Sequence, residues 1–188
     1  MRIIAGALKG RVLAPVHGRT RPTAAKVREA VFNILGPLVL GVGVLDLFAG
    51  TGALGIEALS RGAVAAVFVE DHPGAVRVLR RNLADLDLLE RTTVWPWSVQ
   101  AALRKLAARG ERFGLVFLDQ PYRGEAGAAG LKALAALNLL IPGARVVAEH
   151  SRRETLPERC GSLERLEVRR YGDTQVAFYI ATEPDQQE

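Results

Sequence analysis

The chain has 188 residues and one cysteine, Cys160. A lone thiol can form neither an internal disulfide nor a zinc cluster, so a reducing compartment is expected. No apolar run reaches the about 18–20 residues needed to span a bilayer. The opening Met1-Arg2-Ile3-Ile4-Ala5-Gly6 turns polar before a signal-peptide core could form. A cytoplasmic protein with no membrane association is therefore expected. His17, His72 and His150 lack metal-ligand spacing, so no metal is expected. No Ser–His–Asp logic is visible, and no phosphate-binding lysine comes after a glycine loop, which removes hydrolase and kinase readings. About half the residues are apolar, enough for one sizeable core.

Acidic residues are missing from the first 28 positions, which hold seven cations: Arg2, Lys9, Arg11, Arg19, Arg21, Lys26 and Arg28. The rest of the chain carries 18 bases and 20 acids, so the whole net charge of +5 originates in this arm. Such an arm suits a polyanion, because neutralising phosphates releases condensed counterions. Aromatics are also missing from it, so base stacking there is not suggested.

Two short apolar pieces, residues 2–5 and 11–14, flank Gly6 and Gly10 and read as a hairpin. Gly18 and Pro22 separate this hairpin from the next element. Thr23 reads as the N-cap of an amphipathic helix over 24–35, with Val27, Val31, Ile34 and Leu35 on one stripe. Strands and helices then alternate. Strands are expected at 42–48, 64–69, 92–95, 113–118 and 144–149, and helices at 53–60, 73–86, 99–108 and 128–137. Asp71 reads as the cap of the second of these helices. Residues 163–171 and 175–181 read as two strands in succession. The alternation implies an α/β three-layer sandwich around a mostly parallel sheet, seven-stranded with an antiparallel edge hairpin. The expected organisation is a basic extension over 1–36, a main domain over 37–182 and a flexible tail over 183–188.

The first of these strands runs into Ala49-Gly50-Thr51-Gly52-Ala53-Leu54-Gly55, a literal G-x-G-x-x-G between strand and helix. Glu70 lies about 20 residues on, where a carboxylate takes ribose hydroxyls. Together they point to an adenosine-bearing cofactor. A dinucleotide needs its pyrophosphate at the helix N-terminus, and Asp46, four residues before Gly50, would repel it. S-adenosylmethionine, with an ammonium and a sulfonium, fits the acid better and is the favoured cofactor over NAD.

The strand over 113–118 ends in Asp119-Gln120-Pro121-Tyr122. Ligands of open parallel sheets bind beyond the carboxyl ends of the strands, so Asp119 faces the crevice shared by Gly50 and Glu70. An exocyclic base amine is a poor nucleophile because its lone pair is delocalised. The Asp119 carboxylate and the Gln120 backbone carbonyl would accept its N–H bonds and turn the lone pair toward the methyl donor. Pro121 fixes the turn and Tyr122 offers a ring to a flipped base. These four residues form the candidate catalytic set. The tetrapeptide alone supports amine methylation on no particular base.

Wider stretches carry a resemblance. Arg2-Ile3-Ile4-Ala5-Gly6, Arg21-Pro22-Thr23 with Val27-Arg28-Glu29 and Phe32-Asn33-Ile34-Leu35, the run from Leu45 to Gly55 with Glu57-Ala58-Leu59-Ser60-Arg61-Gly62, and Tyr171-Gly172-Asp173-Thr174 together resemble the RsmD family of bacterial 16S rRNA guanine-N2 methyltransferases. The likeness covers nearly the whole chain. It implies a class I (Rossmann-like) methyltransferase fold and S-adenosylmethionine as methyl donor. It also implies transfer to N2 of a guanine on an assembled or partly assembled small subunit, with ribosomal proteins as possible partners; the chain itself is expected to be a monomer. The implied cofactor set is Asp46, Phe48, Ala49, Gly50, Thr51, Gly52, Glu70, Asp71, Trp97, Ser98 and Asp119, and the seven cations of the arm would contact RNA. Two departures stand out: Gln120 replaces the first proline of the family's Asp-Pro-Pro-(Tyr/Phe) loop, and the turn after the third strand reads Trp95-Pro96-Trp97-Ser98. Alternatives are an adenine-N6 methyltransferase on DNA or RNA and a catalytically weakened RNA-binding relative.

Overall fold

A computed structural model gives the fold and describes residues 1–16, 22–120 and 126–183. Its centre is β4 (Phe113–Asp119), whose residues 113–118 are all buried. An apolar run of this kind belongs inside a sheet covered on both faces. On one face, Leu115 and Phe117 join the helices α1 (Pro22–Leu35), α2 (Ala53–Ser60) and α3 (Pro73–Asp85) in one apolar cluster. On the other, Val116 and Leu118 pack under α4 (Val99–Ala108) and α5 (Ala126–Ala136). The period-2 alternation along β4 thus assigns each side chain to a layer.

Parallel pairing places β1 (Gly43–Leu47) between β4 and β2 (Ala65–Val69), with β3 (Thr92–Trp95) outside β2. On the other side β4 pairs with β5 (Leu140–Ser151). The sheet closes with β6 (Arg159–Cys160), β7 (Leu163–Tyr171) and β8 (Thr174–Ala181), giving the order β3-β2-β1-β4-β5-β8-β7-β6. Strand order reverses between β1 and β4. The crevice beyond their carboxyl ends is the topological switch point, where open α/β sheets bind ligands. β8 runs antiparallel between β5 and β7, and β6 forms the far edge.

The expected elements are present, with local differences. The two-residue β6 makes an eighth strand. β5 starts at Leu140 rather than 144, and a register break in its pairing lies between Phe113 and Leu115. α1 begins at Pro22, so Thr23 sits inside the first turn and not at the cap position. His72, not Asp71, caps α3: its ring nitrogen accepts from Ala75 N at 3.3 Å, ahead of Pro73 in the first turn. The N-terminal hairpin narrows to one antiparallel bridge, Arg2 with Val12. Ile3 and Leu13, nearly unexposed, enter the same cluster as α1 and α2, so the arm shares the main core. Residues 184–188 of the expected tail lie outside the described residues. Among the described residues, no helix is long and apolar enough to cross a membrane.

Candidate active site

The glycine loop is built around two carboxylates. Asp46 on β1 is 1% exposed, and its carboxylate accepts from Gly55 N at 2.9 Å. That N–H lies in the first turn of α2, whose N-cap Gly52 has no side-chain cap. Asp46 therefore fills the helix terminus from below, where its charge opposes the positive end of the helix dipole. Gly55 makes this possible, since an added Cβ would lie 2.3 Å from the Phe68 ring and 3.1 Å from Asp46 Oδ2. Glu70, past the end of β2, accepts from Gly50 N at 2.8 Å and from His72 N at 2.9 Å. It ties the loop to the start of α3. Gly50 has φ 57° and open space where a Cβ would be, and the aromatic Phe48 is also held at φ 62°. A positive φ on a bulky residue at a strand end is strain of the kind that collects at ligand clamps.

The electrostatics arise from this geometry. Burial pushes the Asp46 carboxyl up to about 7; the Gly55 N–H lowers it and the neighbouring Glu70 charge raises it further. Two acids thus share the floor of the crevice, and one already occupies the helix N-terminus that a pyrophosphate would need. A cationic ligand is favoured and a dinucleotide disfavoured. A carboxylate offers about four lone-pair sites. Glu70 uses two on backbone N–H groups, which leaves acceptors for hydroxyls. Asp46 is shut beneath the loop, so it acts through charge and helix capping rather than as the open ammonium partner that the sequence suggests.

Asp119 ends β4, partly exposed, and pairs in register with Glu149 of β5. Gln120 behind it is 2% exposed. Its amide nitrogen donates to both carboxylate oxygens of Glu154, each at 3.2 Å. His150 on β5 directs Nδ1 at the carbonyls of Ser151 and Glu154, 3.1 and 3.0 Å away, so that nitrogen carries the proton. Pro121 and Tyr122 lie outside the described residues.

On the β3 side, Trp97 is 43% exposed and packs tilted on buried Trp95, ring centroids 4.9 Å apart. Ser98 caps α4, its hydroxyl oxygen accepting from Ala101 N at 3.4 Å with its own O–H left to donate. Asp71 is exposed. Thr51 and Asn82 join the loop to the arm: Asn82 donates to Thr51 O at 3.0 Å and accepts from Ala14 N at 2.8 Å.

The expected RNA-facing cations divide. Arg2, Lys9, Arg11 and Lys26 are exposed; Arg19 and Arg21 lie outside the described residues. Arg28 is not a surface cation. It is 4% exposed, donates to Arg2 O at 2.6 Å and lies 3.7 Å from Glu57, an ion-pair distance beyond hydrogen-bond reach. Desolvation lowers its pKa, partly opposed by Glu57. Sequence reasoning missed Glu57, whose carboxylate takes Ile4 N at 2.8 Å, Ala5 N at 3.1 Å and Arg61 Nε at 2.8 Å. It also missed Arg77, Arg80 and Arg81, exposed together on α3. Their i, i+3, i+4 spacing was the available signal. Arg11 reaches the same helix, donating to Asp85 O at 2.5 Å, so the arm and α3 form one basic surface.

A family model described as Conserved hypothetical protein 95 matches residues 1–180. YlbH of Bacillus subtilis (strain 168), a proposed rRNA methyltransferase, is 42% identical over 180 residues, 95% of this chain and 98% of that protein. The Ribosomal RNA small subunit methyltransferase D of Escherichia coli (strain K12) is 40% identical over 124 residues, 65% of this chain and 61% of that protein. Among solved structures, YhhF from Escherichia coli, a proposed methyltransferase, has a TM-score of 0.83 at 33% identity, covering 97% of this chain and 98% of that one. The Thermus thermophilus 16S rRNA N2 methyltransferase RsmC, solved with AdoMet and guanosine, has a TM-score of 0.67 at 27% identity, covering 92% of this chain and 46% of that one.

Proposed function

This chain belongs to the Conserved hypothetical protein 95 family, the RsmD family, and on that premise we propose that it methylates the exocyclic N2 amine of a guanine in small-subunit rRNA, using S-adenosylmethionine. The observation that carries the reading is the juxtaposition at the switch point. The glycine loop follows β1, Glu70 follows the neighbouring β2 and Asp119 ends β4 on the other side of β1, so all three open on one crevice. The donor set fits the cofactor: Glu70 for ribose hydroxyls, the open cradle at Gly50 for close approach, Trp97 for the adenine, and an acidic floor for a cation. When bound, S-adenosylmethionine supplies an electrophilic methyl group with a neutral leaving sulfide.

The protein's part is orientation. The Asp119 carboxylate and the Gln120 carbonyl accept the two N–H bonds of the amine and hold its lone pair outward. Tyr122 stacks the base once it leaves its helix or loop. Alignment of this kind supplies most of the acceleration when the leaving group is already good. The basic surface of the arm and α3 holds RNA phosphates, and the substrate is an assembled or partly assembled subunit in the cytoplasm.

The test is tritium transfer from labelled S-adenosylmethionine to small subunits lacking the modification, with nucleoside analysis of the product. Label in N2-methylguanosine is expected. Label in N6-methyladenosine would reassign the substrate. Binding of NAD without binding of S-adenosylmethionine would overturn the reading.

A further inference from the structure

We propose that Glu154 is a positioning residue for methyl transfer: it clamps the Gln120 side chain and so holds the turn that carries Asp119. The inference rests on the proposed function, in which Asp119 and the Gln120 carbonyl hold the acceptor amine. Its geometry stands apart from that reading.

Gln120 comes directly after Asp119 and is 2% exposed. A proline at such a point would fix φ covalently; a glutamine leaves φ free unless its side chain is tied. Here it is tied. The amide nitrogen lies 3.2 Å from both Glu154 oxygens. A carboxylate only accepts, so the NH2 end must face Glu154. That orientation leaves Gln120 Oε1 buried without a hydrogen-bond partner among the described residues. An orphaned buried acceptor opposes folding, so the charge-assisted contact on the other end dominates the local arrangement.

Glu154 is itself anchored. Its N–H donates to Ser151 O at 3.1 Å and its carbonyl accepts from the buried His150 ring of β5 at 3.0 Å. A third element closes over the pair. An added Cβ at Gly127, in the first turn of α5, would lie 2.8 Å from Gln120 Nε2 and 2.9 Å from Glu154 Oε1. Residues 121–125 join Gln120 to α5. Glu154 therefore binds Gln120 at the end of β4, and Gly127 of α5 lies against the same contact. The strand ends of β4 and β5 and the first turn of α5 meet at one carboxylate.

The experiment is a cycle of Glu154→Ala, Gln120→Ala and the double variant, with Glu154→Gln and Glu154→Ala/Gln120→Pro beside it. Transfer to undermethylated small subunits, S-adenosylmethionine binding and urea unfolding are measured for each. Glu154→Ala should lower kcat about tenfold or more, since small misplacements at reacting groups are costly, with cofactor affinity within about twofold of wild type. Gln120→Ala should match it, and the double variant should be no worse than either single. Glu154→Gln keeps one acceptor and should fall between. Gln120→Pro should restore most of the turnover lost in Glu154→Ala. Wild-type kcat in Glu154→Ala, or additive losses with no recovery by proline, would overturn the clamp. A wild-type protein that transfers no label defeats the proposed function instead. The clamp is then decided by unfolding: coupling between positions 120 and 154 supports it, and additivity overturns it.

Discussion

Asp119 and Asp46 are both acids on strands that lead into the crevice, yet their surroundings give them different tasks. Asp119 is partly exposed at the mouth of the crevice. Asp119→Ala should lower transfer by at least about a hundredfold, because in the proposed reaction it removes one of the two acceptors for the amine N–H bonds. Calorimetry should find S-adenosylmethionine affinity nearly unchanged; undiminished turnover would remove Asp119 from the mechanism. Asp46 is buried, and its carboxyl is raised from an ordinary 3.8 to about 7. Its stabilising contribution is full below about pH 4 and is lost as pH rises through 7, because folding then requires a charged carboxylate in a desolvated place. Asp46→Asn keeps a carbonyl for Gly55 N–H and does not titrate. The variant should therefore gain stability relative to wild type as pH rises from about 4 to about 7, by on the order of 1 kcal/mol or more, with no further change above that. A pH-independent difference in urea midpoints would contradict this. The positions of both acids, at the end of β4 and in β1, were legible in the sequence. The closure of Asp46 beneath the loop was not, because the hydrogen bond from Gly55 depends on how α2 settles on the sheet.

At the level of elements, the alternation of apolar runs located nearly every strand and helix, because both layers bury one periodic face. The failures share a cause. β6 has two residues and no period, Thr23 reads as a cap although α1 already starts at Pro22, and Asp71 reads as the cap of α3 one residue ahead of His72. The largest omission is the seam between the arm and α2. Glu57 bonds Ile4 and Ala5 across more than 50 residues of sequence, and no local pattern encodes a partner that distant. Glu57→Ala would leave Arg28 buried without its counter-charge. Loss of one partner of a buried pair costs about 3–5 kcal/mol, so a large drop in urea stability is expected. Limited proteolysis should also cut the arm faster. Stability within about 1 kcal/mol of wild type would show that the seam is solvated. In α5 two effects compete at Gly127. Alanine there gains about 0.5–1 kcal/mol of helix propensity, but its Cβ falls between Gln120 and Glu154. The long side chains can move aside, so Gly127→Ala should fold with little change in melting temperature and still lose turnover. Full activity in that variant would mean the contact tolerates displacement.

Across the whole molecule, the charge asymmetry was legible from composition, but its destination was not. Seven cations precede the first acid in the chain. One of them, Arg28, is spent inside, against Glu57 and the arm backbone. The exposed surface is replenished from α3, where Arg77, Arg80 and Arg81 stand on the helix that Arg11 reaches. Asp85 pairs with Arg81 at 3.5 Å but is well exposed, so it offsets little of that charge in solvent. If this surface holds RNA phosphates, affinity for small-subunit rRNA must fall with salt, by a slope of about 0.7–0.9 per phosphate neutralised. Gln at positions 77, 80 and 81 together should flatten that slope by about 2 to 3 if each arginine meets one phosphate. S-adenosylmethionine binding should not move, since the three side chains are exposed on α3 and hold neither carboxylate of the glycine loop. Arg28→Gln should do the reverse, lowering stability and leaving the slope alone. Binding isotherms across a range of salt, taken on wild type and both variants, separate the two roles. An unchanged slope in the triple variant would confine RNA contact to the arm, and a flattened slope in Arg28→Gln would show that its burial opens on the substrate.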